Sequence, residues 1–374
     1  MRDLRVVSPG PEVFAALRDA LAGGDAILVG APADDLPTRV GQRVALVVET
    51  SGSTGRPKRV ELSADAVLAS AAASESALGG PAQWVLALPT HYIAGLNVLA
   101  RSLAAETVPV ATAGEHFTAD GFLDAVARLE IPERATALVP AQLATLLDSP
   151  DAVAALRRFQ AVLVGGQAAP AALVDTARDQ GIRVVRSYGS SETSGGCVYD
   201  GSPLGSTQVR IVDGEVRLAG PTLAEGYLGD PALTEERFVV DEGMRWFRTA
   251  DGGALVDGVL TVTGRLDDVI VSGGVKVALA AVERAMHAIP GFADAVVVPG
   301  AHPRWGEHPV AFSAGGGDPH AARDAVVAAL GAPARPEIVL IDAIPTLASG
   351  KPDRRALREI AEDLYPAGRP GAAP

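Results

Sequence analysis

The sequence predicts an α/β protein: a large N-terminal lobe of mostly parallel sheets flanked by helices, with a small antiparallel β subdomain, followed by a small α+β C-terminal domain. Three observations lead there. Helix-like and strand-like segments alternate from about residue 11 to 190, which implies parallel strands covered by helices. After residue 200 the pattern changes to paired alternating runs around Asp213-Gly214 and Asp257-Gly258, a signature of antiparallel hairpins. From Gly264 onward, helical and strand-like segments form a compact unit of their own, and 374 residues suffice for two domains.

Each element has a local reason. Pro11 to Leu21 carries the apolar periodicity of an amphipathic helix, and Asp25–Gly30 reads as a strand. Arg43–Glu49 is strand-like and runs directly into a loop of glycines and hydroxyls. Ser63 caps an alanine-rich helix that the Gly79-Gly80 pair ends. Strand–helix pairs follow: Trp84–Leu88 with a helix to Leu103, then Thr107–Ala111 with Ala119–Leu129. Ala135–Val139 comes next with its own helix, then Ala161–Val164 with Pro170–Gln180, and strand Ile182–Ser187. Gln208–Leu218 is a hairpin, and Ala254–Val256 and Val259–Val262 flank the second Asp-Gly turn. The last unit comprises helix Ala278–His287, strands Ala293–Val298 and Pro309–Ser313, helix Pro319–Leu330 and strand Glu337–Ile341. The domains are therefore expected at 1–264 and 265–374, with a disordered tail from Pro366.

Composition excludes several function classes. A net charge of −13 argues against bulk nucleic-acid or membrane-surface binding, which favour basic patches. No apolar run approaches the roughly 18 residues of a membrane span, and the N-terminus lacks the apolar core of a signal peptide. Cys197 is the only cysteine, so no internal disulfide is expected and a cytoplasmic, reducing compartment fits. The oligomeric state is left open, a homodimer among the options.

Only three of the 32 basic residues are lysine, and each lies in or beside a glycine-rich segment. Lys58 ends Thr50-Ser51-Gly52-Ser53-Thr54-Gly55-Arg-Pro-Lys58. Lys276 ends Ser272-Gly273-Gly274-Val-Lys276, and Lys351 ends Ser349-Gly350-Lys351. A chain that uses arginine for generic charge keeps lysine where a compact ammonium must enter a tight site beside phosphate. The first loop offers amides, hydroxyls and one ammonium after a strand, a set suited to a nucleotide's phosphates. Its glycine spacing is not that of a Walker loop, which disfavours a simple ATPase or GTPase.

Further motifs follow in order. Ser187-Tyr188-Gly189-Ser190-Ser191-Glu192 follows a strand and presents an aromatic face, hydroxyls and a carboxylate. Trp246 to Asp251 places a carboxylate after a strand, and Gly264-Arg265-Leu-Asp267-Asp268 follows the β subdomain. Pro345 to Lys351 closes the set, with Gly220 to Tyr227 and Trp305-Gly-Glu307 fitting the same pattern.

Over about residues 43 to 358 this order resembles the acyl-adenylate-forming (AMP-dependent synthetase/ligase) superfamily. The resemblance implies that Thr50 to Lys58 is the phosphate loop for ATP. It implies that Gly165-Gly166 and Tyr188-Gly189 wall the adenine site, with Ser191 near the α-phosphate and Glu192 holding Mg²⁺. Asp251 would accept from the ribose hydroxyls, assisted by Arg265. Lys351 would bridge the attacking carboxylate and the α-phosphate. In the family reaction a carboxylate attacks the α-phosphorus and releases pyrophosphate; a thiol then attacks the acyl carbonyl and expels AMP. The C-terminal domain is expected to be a mobile cap hinged at Asp267. Gly273, Gly274 and Lys276 would then line the thiol's path; for Lys276 a CoA phosphate, the substrate and plain solvent remain equal readings.

The phosphate loop begins at residue 50, so the N-terminal subdomain is abbreviated relative to the family. This shortened layout resembles the actinobacterial o-succinylbenzoate–CoA ligases of menaquinone biosynthesis. Leu88 to Arg101 resembles their acid-binding segment, with His91 and Tyr92 exchanged relative to the usual order and their roles left open. Gly95 belongs to that segment, and Arg101 stands where a basic residue faces the acyl pocket and could pair a second carboxylate. Gly195-Gly196 would leave room for an aromatic ring. The expected co-substrates are a small carboxylic acid, ATP and CoA. The alternatives are a CoA ligase for another small aryl or acyl acid, a free-standing adenylation enzyme loading a carrier protein, and a nucleotide-binding sensor without turnover.

Overall fold

A computed structural model describes residues 1–50, 58–114, 116–347 and 350–366. The chain divides into two compact units. The first is Met1–Val212, Arg217–Thr249 and Leu255–Leu260; the second is Asp213–Val216, Ala250–Ala254 and Thr261–Pro374.

Two sheets organise the first unit. In the six-stranded sheet the order is Gly226–Tyr227, Lys58–Ser63, Val44–Thr50, Ala26–Val29, Arg2–Val7 and Arg39–Val40. Its centre is parallel, Arg2–Val7 with Ala26–Val29 and Ala26–Val29 with Val44–Thr50, while its edges pair antiparallel. Ala26–Val29 is buried at every position, as a strand covered on both faces must be. In the seven-stranded sheet the order is Ser202–Pro203, Gly195–Tyr199, Val184–Ser190, Ala161–Val164, Arg134–Leu138, Gln83–Leu86 and Val110–Ala111. The last five run parallel and Gly195–Tyr199 folds back antiparallel. The parallel-strand expectation holds here, and Val184 continues as strand through Ser190 instead of stopping at Ser187.

Helices Ala64–Leu78 and Ile93–Ala104 pack against both sheets. Val67, Leu96 and Leu99 join the core of the first sheet, whereas Leu78 and Val98 join Trp84, Leu88 and Tyr199 of the second. Ser63 caps the first of these helices by accepting from the Ala66 amide at 3.2 Å, and Gly79 ends it in the left-handed region. Because Ile93–Ala104 has core on both sides, every residue from Gly95 to Ser102 is buried, Arg101 included.

A third sheet has the order Gln208–Val212, Glu215–Ala219, Met244–Val256, Phe238–Asp241, with Val259–Arg265 paired to Met244–Val256. One expectation is corrected here. Asp251 does not follow a strand; it lies inside the 13-residue strand Met244–Val256, which passes through Ala250 at a φ of 59°.

The second unit carries its own sheet, in the order Val275–Ala278, Val269–Ser272, Gly306–Ser313, Val296–His302, with Glu337–Leu340 parallel to Gly306–Ser313. Helices Leu279–His287 and Pro319–Leu330 cover one face through Val282, Met286 and Val326. Helix Arg354–Leu364 covers the other through Leu357 and Ala361. The tail expected to be disordered lies, beyond Pro366, outside the described residues. Among the described residues no helix is long and apolar enough to cross a membrane.

Candidate active site

The carboxyl end of strand Ala161–Val164 and its neighbour Val184–Ser190 bring the expected adenine walls together, where an open α/β sheet binds its ligands. Ala161–Val164 leads into Gly165-Gly166, and the neighbouring parallel strand carries Ser187, Tyr188, Gly189 and Ser190. The two expected adenine walls are therefore adjacent: a Cβ on Gly165 would stand 2.9 Å from the Ser187 carbonyl oxygen. Tyr188 is half-buried on its strand.

Ser191–Thr193 forms a short 3₁₀ turn directly after the strand, with Ser191 buried. The Ser190 amide donates to Thr193 Oγ1 at 3.0 Å, and Thr193 Oγ1 donates to the Gly195 carbonyl at 2.7 Å. The Ser190 hydroxyl, though buried, has no hydrogen-bond partner among the described residues. This turn presents Glu192, whose Oε1 accepts from the Tyr227 hydroxyl at 2.9 Å. Burial first, and then the Glu192 carboxylate, push the Tyr227 phenol far above its usual range, so it stays protonated and donates.

The phosphate-loop expectation is described only at its ends. Thr50 and Lys58 pair across neighbouring strands, with Thr50 Oγ1 donating to the Lys58 carbonyl at 3.4 Å. Lys58 Nζ lies 6.0 Å from the centre of the Tyr227 ring. Ser51, Gly52, Ser53, Thr54 and Gly55 lie outside the described residues.

On the acid side, the His91 and Tyr92 rings meet tilted at 46° with centroids 4.1 Å apart, immediately before helix Ile93–Ala104. Burial lowers the His91 pKa, which makes the imidazole a neutral hydrogen-bonding group at pH 7. Gly95 is explained by packing: a Cβ there would stand 2.2 Å from the Pro89 carbonyl oxygen. Arg101 is 5% exposed, lies 5.0 Å from the centre of the Trp84 ring and donates through Nη2 to the Tyr199 hydroxyl at 3.3 Å. Its Nε is buried with no hydrogen-bond partner, and no carboxylate pairs with it, among the described residues.

The glycine pair after the acidic turn has a different reason from the one expected. Gly195 adopts a φ of 92°, and a Cβ there would meet Asn97 Nδ2 at 1.9 Å; one on Gly196 would meet Ser187 Oγ at 2.0 Å. The space beside both is thus filled by protein, with Asn97 Nδ2 donating to the Ser194 carbonyl at 2.9 Å.

The second unit holds the remaining candidates. Arg265 forks onto Asp267, Nε to Oδ1 at 2.9 Å and Nη2 to Oδ2 at 2.7 Å, while Asp251 lies 3.8 Å from Arg265 Nε. These bonds to Asp267 outweigh burial and raise the Arg265 pKa. Gly273 and Gly274 turn the chain between Val269–Ser272 and Val275–Ala278, and Lys276 is exposed on the second strand. The Trp305 ring lies against Gly273, whose amide donates to the Trp305 carbonyl at 2.8 Å.

Lys351 sits in a turn closed by the Leu347 amide donating to the Lys351 carbonyl at 2.8 Å and by pairing of Thr346 with Pro352. The following helix is capped by Asp353 and anchored through Arg354, which forks onto Glu283 at 2.6 and 2.7 Å. Burial lowers the Lys351 pKa, and no side-chain hydrogen bond or ion pair engages its ammonium among the described residues.

Comparison with known proteins decides the family. AMP-binding enzymes match residues 15–228, and the C-terminal domain of AMP-binding enzymes matches residues 281–351. This chain belongs to the AMP-binding enzyme family. A protein of Mycobacterium tuberculosis named as a probable 2-succinylbenzoate–CoA ligase is 43% identical over 363 residues, 91% of this chain and 93% of that one. The 2-succinylbenzoate–CoA ligase of Salmonella typhimurium is 38% identical over 280 residues, 72% of this chain and 58% of its own length. Among solved structures, a variant of Escherichia coli MenE with bound OSB-AMS superposes with a TM-score of 0.79 at 26% identity, covering 97% of this chain and 88% of that one. The amide bond synthetase McbA of Marinactinospora thermotolerans gives 0.75 at 26% identity, with 96% and 80% covered.

The carboxylate of the acidic turn suits a metal that arrives with a nucleotide. Among the described residues no group of three or more His, Cys, Asp or Glu side chains could cage an ion. A single carboxylate such as Glu192 instead suits Mg²⁺, which keeps waters and takes its other ligands from nucleotide phosphates. Tyr227 closes the Gly220 to Tyr227 segment, where the sequence alone gives it no task. Asn97, Thr193 and Tyr199 carried no signal of their own.

Proposed function

We propose that this AMP-binding enzyme is an ATP-dependent ligase joining o-succinylbenzoate to CoA, in menaquinone biosynthesis. One carboxylate of the acid attacks the α-phosphorus of ATP, the bond to pyrophosphate breaks, and an acyl-adenylate forms. The CoA sulfur then attacks the acyl carbonyl, loses its proton, and AMP leaves with the electron pair of the broken anhydride bond.

Arg101 is the observation that carries the choice of acid. A buried guanidinium with no carboxylate among its described neighbours is costly unless a ligand supplies one. A dicarboxylate has such a group to spare: one end is activated and the other pairs with Arg101. The likeness to the M. tuberculosis relative along nearly its whole length supports the same acid.

The chain's own residues divide the work. Thr50 to Lys58 holds the phosphates, Gly165, Gly166, Ser187, Tyr188 and Gly189 hold the adenine, and Ser190 and Ser191 face the α-phosphate with their hydroxyls. Glu192 holds Mg²⁺, which neutralises phosphate charge when bound. Asp251 and Arg265 orient the ribose. His91 and Tyr92 shape the acid's surroundings, while Gly95 and Gly195 let neighbouring protein atoms pack closely beside them. Lys351 bridges the attacking carboxylate and the α-phosphate, stabilising charge that develops there. The domain boundary is placed at 264/265 with Asp267 as hinge, and Gly273, Gly274 and Lys276 border the path of the thiol.

The test is pyrophosphate release from ATP across a panel of carboxylic acids, with and without CoA. Release with o-succinylbenzoate well above that with benzoate or succinate, and a thioester only when CoA is present, is expected. Preference for a monocarboxylate would assign another acid, and adenylation that CoA never discharges would point to a carrier-loading enzyme.

A further inference from the structure

Glu192 does not choose its own orientation. It projects from a one-turn 3₁₀ segment, Ser191–Thr193, too short to fix a side chain by itself. The residues that fix it come from 224–227. The Ala224 amide donates to the Glu192 carbonyl at 2.8 Å, and the Tyr227 hydroxyl donates to Oε1 at 2.9 Å. One segment therefore grips both the backbone and the carboxylate of the same residue.

Tyr227 is itself rigidly placed. Its amide donates to Thr234 Oγ1 at 2.9 Å, and Thr234 Oγ1 donates in turn to the Asp230 carbonyl at 2.8 Å. Tyr227 is 5% exposed, and its ring packs against Phe238 with centroids 5.9 Å apart. It pairs in register with Val60 on the strand Lys58–Ser63, and Lys58 Nζ lies 6.0 Å from its ring. A single side chain thus connects the strand that ends the phosphate loop to the carboxylate of the acidic turn.

We propose that Tyr227 is a positioning residue for the nucleotide's metal, its hydroxyl engaging Glu192 Oε1 so that Oε2 is aimed at the cation. No hydrogen bond to Oε2 is formed among the described residues. The inference rests on the reading of Glu192 as the metal carboxylate. Outer partners of this kind matter because a ligand with one oxygen pinned loses little freedom on binding; removing such a partner costs roughly 10–100-fold in metal affinity.

The experiment uses the full chain and reads binding, not turnover. ATP affinity is measured by calorimetry in EDTA and in saturating Mg²⁺ for wild type, Glu192→Gln, Tyr227→Phe and the double variant, with a thermal melt on each. Phenylalanine keeps the buried ring and removes only the hydroxyl. The expected result is that Tyr227→Phe reduces the Mg²⁺-dependent gain in ATP affinity about tenfold. Its affinity in EDTA should stay unchanged, and the double variant should be no worse than Glu192→Gln. If Glu192→Gln lowers that gain but Tyr227→Phe leaves it intact, or if the two losses add in full, the positioning role is overturned. A gain unaffected by Glu192→Gln would instead overturn the metal assignment of Glu192, and the inference with it.

Discussion

Glu192 and Lys351 are both charged candidates of one reaction, yet their surroundings differ. Glu192 is held by a residue 35 positions away in sequence, through the hydroxyl of a tyrosine whose ring belongs to the core of the first unit. Lys351 is held by its own turn: the contacts that define it run to Leu347, Thr346 and Pro352, and its ammonium has no side-chain partner among the described residues. The first arrangement is a preformed floor, in which rigidity is made by long-range packing. The second is a locally braced turn that keeps its charge for a ligand. Burial lowers the Lys351 pKa, a cost that a phosphate and a carboxylate would repay on binding.

The largest expected effect tests the turn. Lys351→Ala should slow adenylate formation by about 10²–10³-fold, the scale of removing one donor from developing charge, and largely spare CoA transfer from pre-made acyl-adenylate. Single-turnover assays of each half-reaction check this, and equal loss in both would erase the distinction between turn and floor.

Next comes the acid side of the first unit. Arg101→Ala should raise KM for o-succinylbenzoate about 10–100-fold, the worth of a charge-assisted hydrogen bond, with little change for monocarboxylates. Because Arg101 also packs on Trp84 and bonds Tyr199, a uniform loss for all acids would reveal a structural role instead.

A smaller effect is expected at Asp267. Its carboxylate holds Arg265 in a two-point fork, so Asp267→Pro both removes that fork and stiffens the expected hinge. Thioester formation should fall on the order of tenfold more than adenylation. Parallel loss in the two half-reactions, read by the same assays, would move the hinge elsewhere.

The smallest effect is a pH slope. The Lys351 pKa is lowered in the folded protein, so its ammonium is lost as pH rises through a value below that of a free lysine. Adenylation should decline on that alkaline side while CoA transfer from acyl-adenylate does not share the decline. A pH–rate profile of each half-reaction decides it, and coincident alkaline limbs would remove Lys351 from the first step.

Much of this was readable from residue pattern alone where local chemistry and tertiary context agree. Pro319–Leu330 is a helix over the expected span because Asp318 caps it and proline opens it; Ala161–Val164 is a strand over its expected span because a run buried on both faces is continuously apolar. Strand Arg2–Val7 was missed because its charged residues obscure the alternation, and its pairing is supplied by Ala26–Val29 and Arg39–Val40. Helix Arg354–Leu364 was missed for a related reason: only Leu357 and Ala361 are buried in a segment rich in arginine and acid. Thr107–Ala111 promised a longer strand, but only Val110–Ala111 finds a partner.

Site residues divide in the same way. Motif order alone proposes Glu192, Tyr188 and Lys351, whereas the Tyr227–Glu192 bond and the Asn97 contact under Gly195 needed the chain folded. Asp251 was expected after a strand, yet the strand Met244–Val256 continues through it, with Ala250 in the left-handed region beside it.

Product stoichiometry tests the whole account most directly. Purified protein is mixed with o-succinylbenzoate, ATP, Mg²⁺ and CoA, and AMP, pyrophosphate and thioester are quantified together. Equal amounts of all three, with acyl-adenylate accumulating when CoA is withheld, are predicted. Formation of ADP and phosphate, or AMP release that never yields a thioester, would contradict it.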